Sequence, residues 1–455
     1  MRNPFLRTHA RCWPIAAWAL ASGLACAQTP YADRQIPGVA VATWLTPDGK
    51  PKDFARYIQD TQALVAERHY EMPPGSPPIP GGETLAEAIG PRAWPVQGQN
   101  CSPDNTDGIL LVHGLTDSPY LMRDLGDELA RQPITPGRCV QVRSLLLPGH
   151  ATRPGDLVQT GYAQWIAAVG YGIGSFADVA AQVHLVGFST GGALGIYWAY
   201  QQKAAPLAAP LASLVLLSPA IEPKDWKARL PYLPALTDKF SALTGWLRWT
   251  DEHLDQDFAK YESFALHAGV QISLLDDILK KQLETPIPLP VYMALSFSDS
   301  TIAARDSIKA FVHTTDPRNR MLLAANSADA AAIQKDPLQR ITVVPVALPD
   351  LAVRDFSHTA WPIKPDNPHY GSKSNYADCK HYAKDPKHIE QFCACSTPAM
   401  QVAACATRAT STVLYGELPP KDLPEGTLLR RLSFNPYFDR MAGEIRAFLS
   451  SVVVP

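Results

Sequence analysis

Gly187-Phe188-Ser189-Thr190-Gly191 is the stretch of this chain best suited to covalent chemistry. It follows the apolar run Gln182-Val183-His184-Leu185-Val186 and precedes Gly192-Ala193-Leu194-Gly195-Ile196-Tyr197-Trp198-Ala199. That order reads as a buried strand, a sharp turn and a helix. A serine on such a turn sits in strained backbone geometry, so its neighbours must be small, and glycine fits there without a clash. Its hydroxyl then projects from the fold beside the first helical N–H groups, an arrangement suited to acyl transfer, because those N–H groups can stabilise a developing oxyanion. The same pentapeptide also occurs in ordinary Gly-Ser turns. What separates the two here is a second buried run upstream, Gly108-Ile109-Leu110-Leu111-Val112, which ends in His113-Gly114-Leu115.

A serine hydroxyl is a weak nucleophile at neutral pH and needs a base within hydrogen-bond reach, oriented in turn by an acid. On a parallel sheet carrying such a turn, the expected chain order is serine, acid, histidine, each on a loop after a strand. Asp299 stands directly after Pro290-Val291-Tyr292-Met293-Ala294-Leu295 and is the expected acid. It could instead cap a helix starting near Ile302, but its position favours the acid. Asp276 and Asp277 are rivals inside an apparent amphipathic helix. For the base, His358 in Asp355-Phe356-Ser357-His358-Thr359 follows a β-rich region, with His369 as the alternative. His184 falls in a strand, and His253 and His267 in a helical region, where a lone histidine is usually structural.

These residues demand an open, mostly parallel sheet with helices between its strands. Strands are expected at Gly108, Val140, Gln182, Leu214 and Val291, with Arg320–Ala324 and Ile341–Val346 both eligible for the last position. A helix with Leu121, Met122, Leu125 and Leu129 on one face and another over Tyr162–Val179 fit the intervals. Before them, one helix contains Phe54, Tyr57, Ile58 and Leu64, and the first strands of the sheet fall in the region of Trp94 without a fixed position. Residues 221–288 break the alternation and read as a helical cap rich in Trp226, Tyr232, Phe240, Trp246, Trp249, Tyr261 and Phe264. Some of these must bury against the sheet; the others would line an apolar slot above Ser189.

The chain has 455 residues and a formal charge of −2, with no basic concentration that would suggest a nucleic-acid surface. Arg2, Arg7 and Arg11 precede the short apolar run Cys12–Leu24 and the small-x-small pattern Ala25-Cys26-Ala27. Residues 1–27 therefore read as an export signal cleaved before Gln28, for a periplasmic or secreted protein; lipid attachment at Cys26 is the alternative. The run is shorter than the ~20 residues of a membrane span, and no second one follows. Cys101, Cys139, Cys379, Cys393, Cys395 and Cys405 would remain, an even number that favours disulfides in an oxidising compartment. Cys101 precedes the Gly108 strand and Cys139 opens its neighbour, so these two could meet. The other four share residues 363–425 with His381 and His388, where two disulfides compete with a zinc site of no recognisable spacing.

Taken together, His113-Gly114-Leu115-Thr116, Pro148-Gly149-His150, Gly187-Phe188-Ser189-Thr190-Gly191, Ser298-Asp299 and Ser357-His358 resemble the α/β-hydrolases of the carboxylesterase and monoacylglycerol-lipase type. The resemblance covers about residues 105–220 and 289–362. It implies an α/β-hydrolase fold across residues 28–455, into which the sequence inserts the cap at 221–288 and, outside the family's minimal fold, a cysteine-rich segment at 363–425. It further implies a Ser189-Asp299-His358 triad, an oxyanion hole from the N–H groups of Leu115 and Thr190, a small ester substrate and no cofactor or metal. Lipase, thioesterase or amidase activity are neighbouring possibilities, and a non-catalytic hydrolase-like binding protein a more distant one. Two departures stand out. Ser296 occupies a position usually held by glycine, and the segment after His358 has no counterpart in the minimal fold.

Overall fold

The computed structural model describes residues 43–70, 72, 79–224, 249–251, 257–331, 335–374, 376, 412–417 and 427–453. The expected export segment with Cys26, the cap residues Trp226, Tyr232, Phe240 and Trp246, His253, and Cys379, Cys393, Cys395 and Cys405 with His381 and His388 lie outside these residues.

The strands are β1 (Arg92–Ala93), β2 (Thr106–Val112), β3 (Cys139–Leu145), β4 (Gln182–Phe188), β5 (Leu211–Leu217), β6 (Trp249–Asp251), β7 (Phe264–Ala265), β8 (Val291–Ser296), β9 (Arg320–Ala325), β10 (Ile341–Pro345), β11 (Thr412–Gly416) and β12 (Thr427–Arg431). Eight of them form one sheet in the order β1-β3-β2-β4-β5-β8-β9-β10. Every pairing is parallel except that of β1 with β3. Residues Ile109–Val112, Val183, Leu185, Val186 and Leu214–Leu217 are buried on both faces, which explains the near-continuous apolar runs in the sequence. Both candidate terminal runs pair: β10 continues the sheet beyond β9 from Ile341↔Met321 to Pro345↔Ala325.

Helices α1 (Phe54–Arg68), α2 (Leu85–Ile89), α3 (Arg123–Leu129), α4 (Tyr162–Gly174), α5 (Thr190–Ala204), α6 (Leu266–Gln282), α7 (Ala304–His313), α8 (Ser327–Ala331) and α9 (Phe438–Val452) complete the order. α4 ends five residues before the expected boundary: past Gly174 the chain turns so that Phe176 N bonds to Ile173 O and Phe176 packs fully buried beneath Gly108. Within the cap region, α6 packs on α5 and buries Ala268, Val270, Leu275 and Leu279. Cys101 and Cys139, 38 residues apart, are joined by a disulfide that ties the chain before β2 to the first residue of β3. β11 and β12 form a separate parallel pair.

The carboxyl ends of β2, β4, β8 and β10 all point to one edge of the sheet. Loops at that edge carry the residues singled out in the sequence.

Candidate active site

Ser189 joins β4 to α5 with φ 51° and ψ −114°, a conformation outside the ordinary range of an L-residue. Four backbone hydrogen bonds hold it: Ser189 N donates to Leu217 O at 2.9 Å, and Ser189 O accepts from Gly192, Ala193 and Ala220 N–H at 3.0, 3.1 and 3.0 Å. The flanking glycines are sterically required. A Cβ on Gly187 would lie 2.4 Å from the Gly191 carbonyl, and one on Gly191 would lie 2.1 Å from Val112 O.

The structure brings Ser189, Asp299 and His358 together from three loops. His358 Nδ1 is 2.6 Å from Asp299 Oδ2, and His358 Nε2 is 3.0 Å from Ser189 Oγ. An ionised carboxylate only accepts hydrogen bonds, so Nδ1 carries the proton and Nε2 is free to accept from the serine hydroxyl. Asp299 is wholly buried, Ser189 is 8% exposed and His358 is 4% exposed. The other oxygen of Asp299 accepts from Thr301 N at 2.8 Å and Ile302 N at 3.0 Å. This turn resembles the cap the sequence allows, but α7 begins later, at Ala304, and is capped by Ala303. Lys224, at the start of the cap region, donates from Nζ to Asp299 O at 2.9 Å.

Thr190 follows Ser189 directly in the chain, and Leu115 stands on the loop after β2. Thr190 opens α5, so its N–H has no acceptor within the helix. Leu115 follows Gly114, where an added Cβ would come within 3.1 Å of the Ser189 Cβ and 2.5 Å of Asp117 Oδ2. His113 fixes this loop: its Nδ1 donates to Gly114 O at 2.8 Å, and its Nε2 accepts from Leu147 N at 3.0 Å. Burial holds its pKa well below the ordinary value, so it is a neutral bracket between the ends of β2 and β3. His150 stands beside it at 5.0 Å and is pushed down to about 4 by burial. Asp117, on the same loop, is 5% exposed, and burial pushes its carboxyl up to about 7.

The rival residues serve elsewhere. Asp276 pairs with Lys280 at 2.8 Å on α6. His369 bonds through Nε2 to Asp257 Oδ1 at 2.9 Å, while Tyr370 Oη donates to Asp257 Oδ2 at 2.7 Å. That second histidine–aspartate pair joins the cap region to the chain after His358. Tyr261 donates from Oη to Gly149 O at 3.1 Å and accepts from Thr152 N at 2.7 Å, so it braces the loop after β3. Trp249 packs half-buried against the main core. Sequence reasoning missed Asp117, Asp257 and Lys224 because isolated charged residues in loops resemble solvated surface. Among the described residues, no group of three or more histidine, cysteine or acidic side chains is arranged to hold a metal.

A sequence profile of the alpha/beta hydrolase family matches residues 109–372, more than half of the chain, and the chain belongs to that family. A curated relative, the thermostable monoacylglycerol lipase of Bacillus sp. (strain H-257), is 35% identical over 92 residues. This match spans 20% of the present chain and 34% of the relative, about a third of that protein's length. Solved structures that it resembles include a monoacylglycerol lipase of Paleococcus ferrophilus (16% identity, 52% of this chain and 88% of that one, TM-score 0.36). Another is a soluble variant of monoglyceride lipase from Saccharomyces cerevisiae in complex with a substrate analogue (14% identity, 52% and 82%, TM-score 0.38).

Proposed function

We propose that this protein is a serine hydrolase that cleaves small carboxylic esters through an acyl-enzyme. The observation that carries the reading is the continuous relay from Asp299 Oδ2 to His358 at 2.6 Å and from His358 Nε2 to Ser189 Oγ at 3.0 Å. His358 takes the serine proton as Oγ attacks the ester carbonyl. The N–H groups of Leu115 and Thr190 receive the oxyanion, and the alcohol departs with the proton from His358. Water, activated by the same imidazole, then releases the acid. Asp299 keeps the histidine in the tautomer that accepts from serine and stabilises the imidazolium. The names of the lipolytic relatives support an ester as the scissile group. Export with cleavage before Gln28 belongs to the same proposal, as does a cap that receives the acyl chain.

The test is stoichiometric labelling with a fluorophosphonate together with hydrolysis of a p-nitrophenyl ester series. The adduct is expected on Ser189, and Ser189→Ala is expected to lose about a million-fold in turnover. Labelling of a different serine, or an active Ser189→Ala, would overturn the reading.

A further inference from the structure

The elements after His358 grip both catalytic loops at once. On the histidine side, β11 lies along the chain before the base. Tyr415 N donates to Ala352 O at 2.8 Å and Arg354 N to Tyr415 O at 2.8 Å. Glu417 N donates to the Asp355 carboxylate, and just past β12 the carbonyl of Leu432 accepts from Ser357 Oγ at 2.5 Å. On the acid side, the Glu417 carboxylate accepts from Ser300 N at 3.2 Å and from the Ser300 hydroxyl. Ser300 is the residue directly after Asp299. Behind it, Arg431 Nε lies 2.9 Å from Glu417 Oε2 and Arg431 Nη2 lies 3.2 Å from Oε1.

Glu417 is wholly buried. A buried carboxylate is tolerated only with a charged partner and donors for its remaining lone pairs, and this one has both. The result is a fixed acceptor whose position sets that of Ser300. We propose that Glu417 is a positioning residue: backed by Arg431, it holds Ser300 and thereby aims the Asp299 carboxylate at His358. The C-terminal pair β11–β12 is then a working part of the site. This inference rests on the triad reading above. A triad acid must hold its imidazole closely, because a displacement of about 1 Å can cost a hundred-fold in rate.

The experiment compares full-length wild type, Glu417→Ala, Ser300→Ala and Ser300→Thr, with Ser189→Ala alongside. The substrate is p-nitrophenyl butyrate, and the rate of fluorophosphonate labelling at Ser189 is followed in parallel. Glu417→Ala is expected to lower kcat by up to about a hundred-fold and to slow labelling, with KM little changed. Ser300→Ala, which keeps the backbone donor and the ion pair, is expected to fall between Glu417→Ala and wild type. Ser300→Thr, which keeps the hydroxyl, is expected to recover most of the activity. Folded Glu417→Ala with wild-type kcat and labelling rate overturns the proposal, as does a loss confined to thermal midpoint. If Glu417→Ala does not fold, Ser300→Ala decides: kcat equal to wild type overturns the proposal, and a fall that Ser300→Thr reverses sustains it. An active Ser189→Ala removes the triad reading and this inference with it. A dead Ser189→Ala beside unaffected Glu417 and Ser300 variants removes the inference alone.

Discussion

The behaviour of single residues at this site follows from how little room and water they have. Burial pushes the Asp117 carboxyl up to about 7, against an ordinary value of 3.8. A folded value above the unfolded one means that the native state holds the proton more tightly. The associated stability is complete below the unfolded value and is lost as pH rises through about 7. Asp117→Asn cannot ionise, so it should match wild type near pH 4 and exceed it at pH 8 by up to about 4 kcal/mol. Urea unfolding at the two pH values checks this, and an equal difference at both would contradict it. Asp299→Asn should keep the fold but cost about ten-thousand-fold in kcat, because an amide can favour the wrong histidine tautomer. Gly191→Ala meets backbone oxygens of Val112 and His113 that cannot step aside, and should abolish labelling of Ser189. Much of this scale was legible in the sequence. Ser189, its glycines, Asp299 and His358 announce themselves through residue type, order and the strands ahead of them. Glu417 does not, since its contact with Ser300 spans 117 residues and no local periodicity encodes it.

Elements were legible in proportion to their burial. The central strands are apolar on both faces, and even the two competing terminal runs proved to be neighbours. β1 was harder to place, because two residues paired antiparallel to β3 leave only a faint pattern. β11 and β12 were missed for a related reason: their value lies in carbonyls, N–H groups and one ion pair rather than in an apolar stripe. The disulfide offers a prediction at this scale. It closes a 38-residue loop, for which chain entropy suggests about 3–4 kcal/mol of stabilisation. Cys139 opens β3, at the amino end of the strands, whereas Ser189 follows the carboxyl end of β4. Paired Cys101→Ser and Cys139→Ser changes are therefore expected to lower the thermal midpoint while leaving kcat at 25 °C near wild type. Loss of kcat in the folded variant would show that the two ends of the sheet are coupled.

For the whole molecule, the sheet order converts distant sequence into one site: Ser189 follows β4, Asp299 lies on the loop after β8, and His358 lies on the chain beyond β10. The amino-terminal reading is checked at this scale too. Under the proposed export, intact mass of the mature protein is expected to correspond to a chain beginning at Gln28, and a diacylglyceryl mass on Cys26 would replace that reading with an anchored form. No helix among the described residues is long and apolar enough to cross a membrane. The grip of β11 and β12 on the catalytic loops also has a consequence in time. Glu417 is synthesised 117 residues after Ser300, which at ~5–20 residues per second is a delay on the order of ten seconds. Through the second half of that interval a growing chain already contains Ser189, Asp299 and His358 but still lacks the Glu417 contact to Ser300. Hydrolytic competence is thus expected to arrive late in the birth of each molecule, only once Glu417 has been added and β11 and β12 have paired.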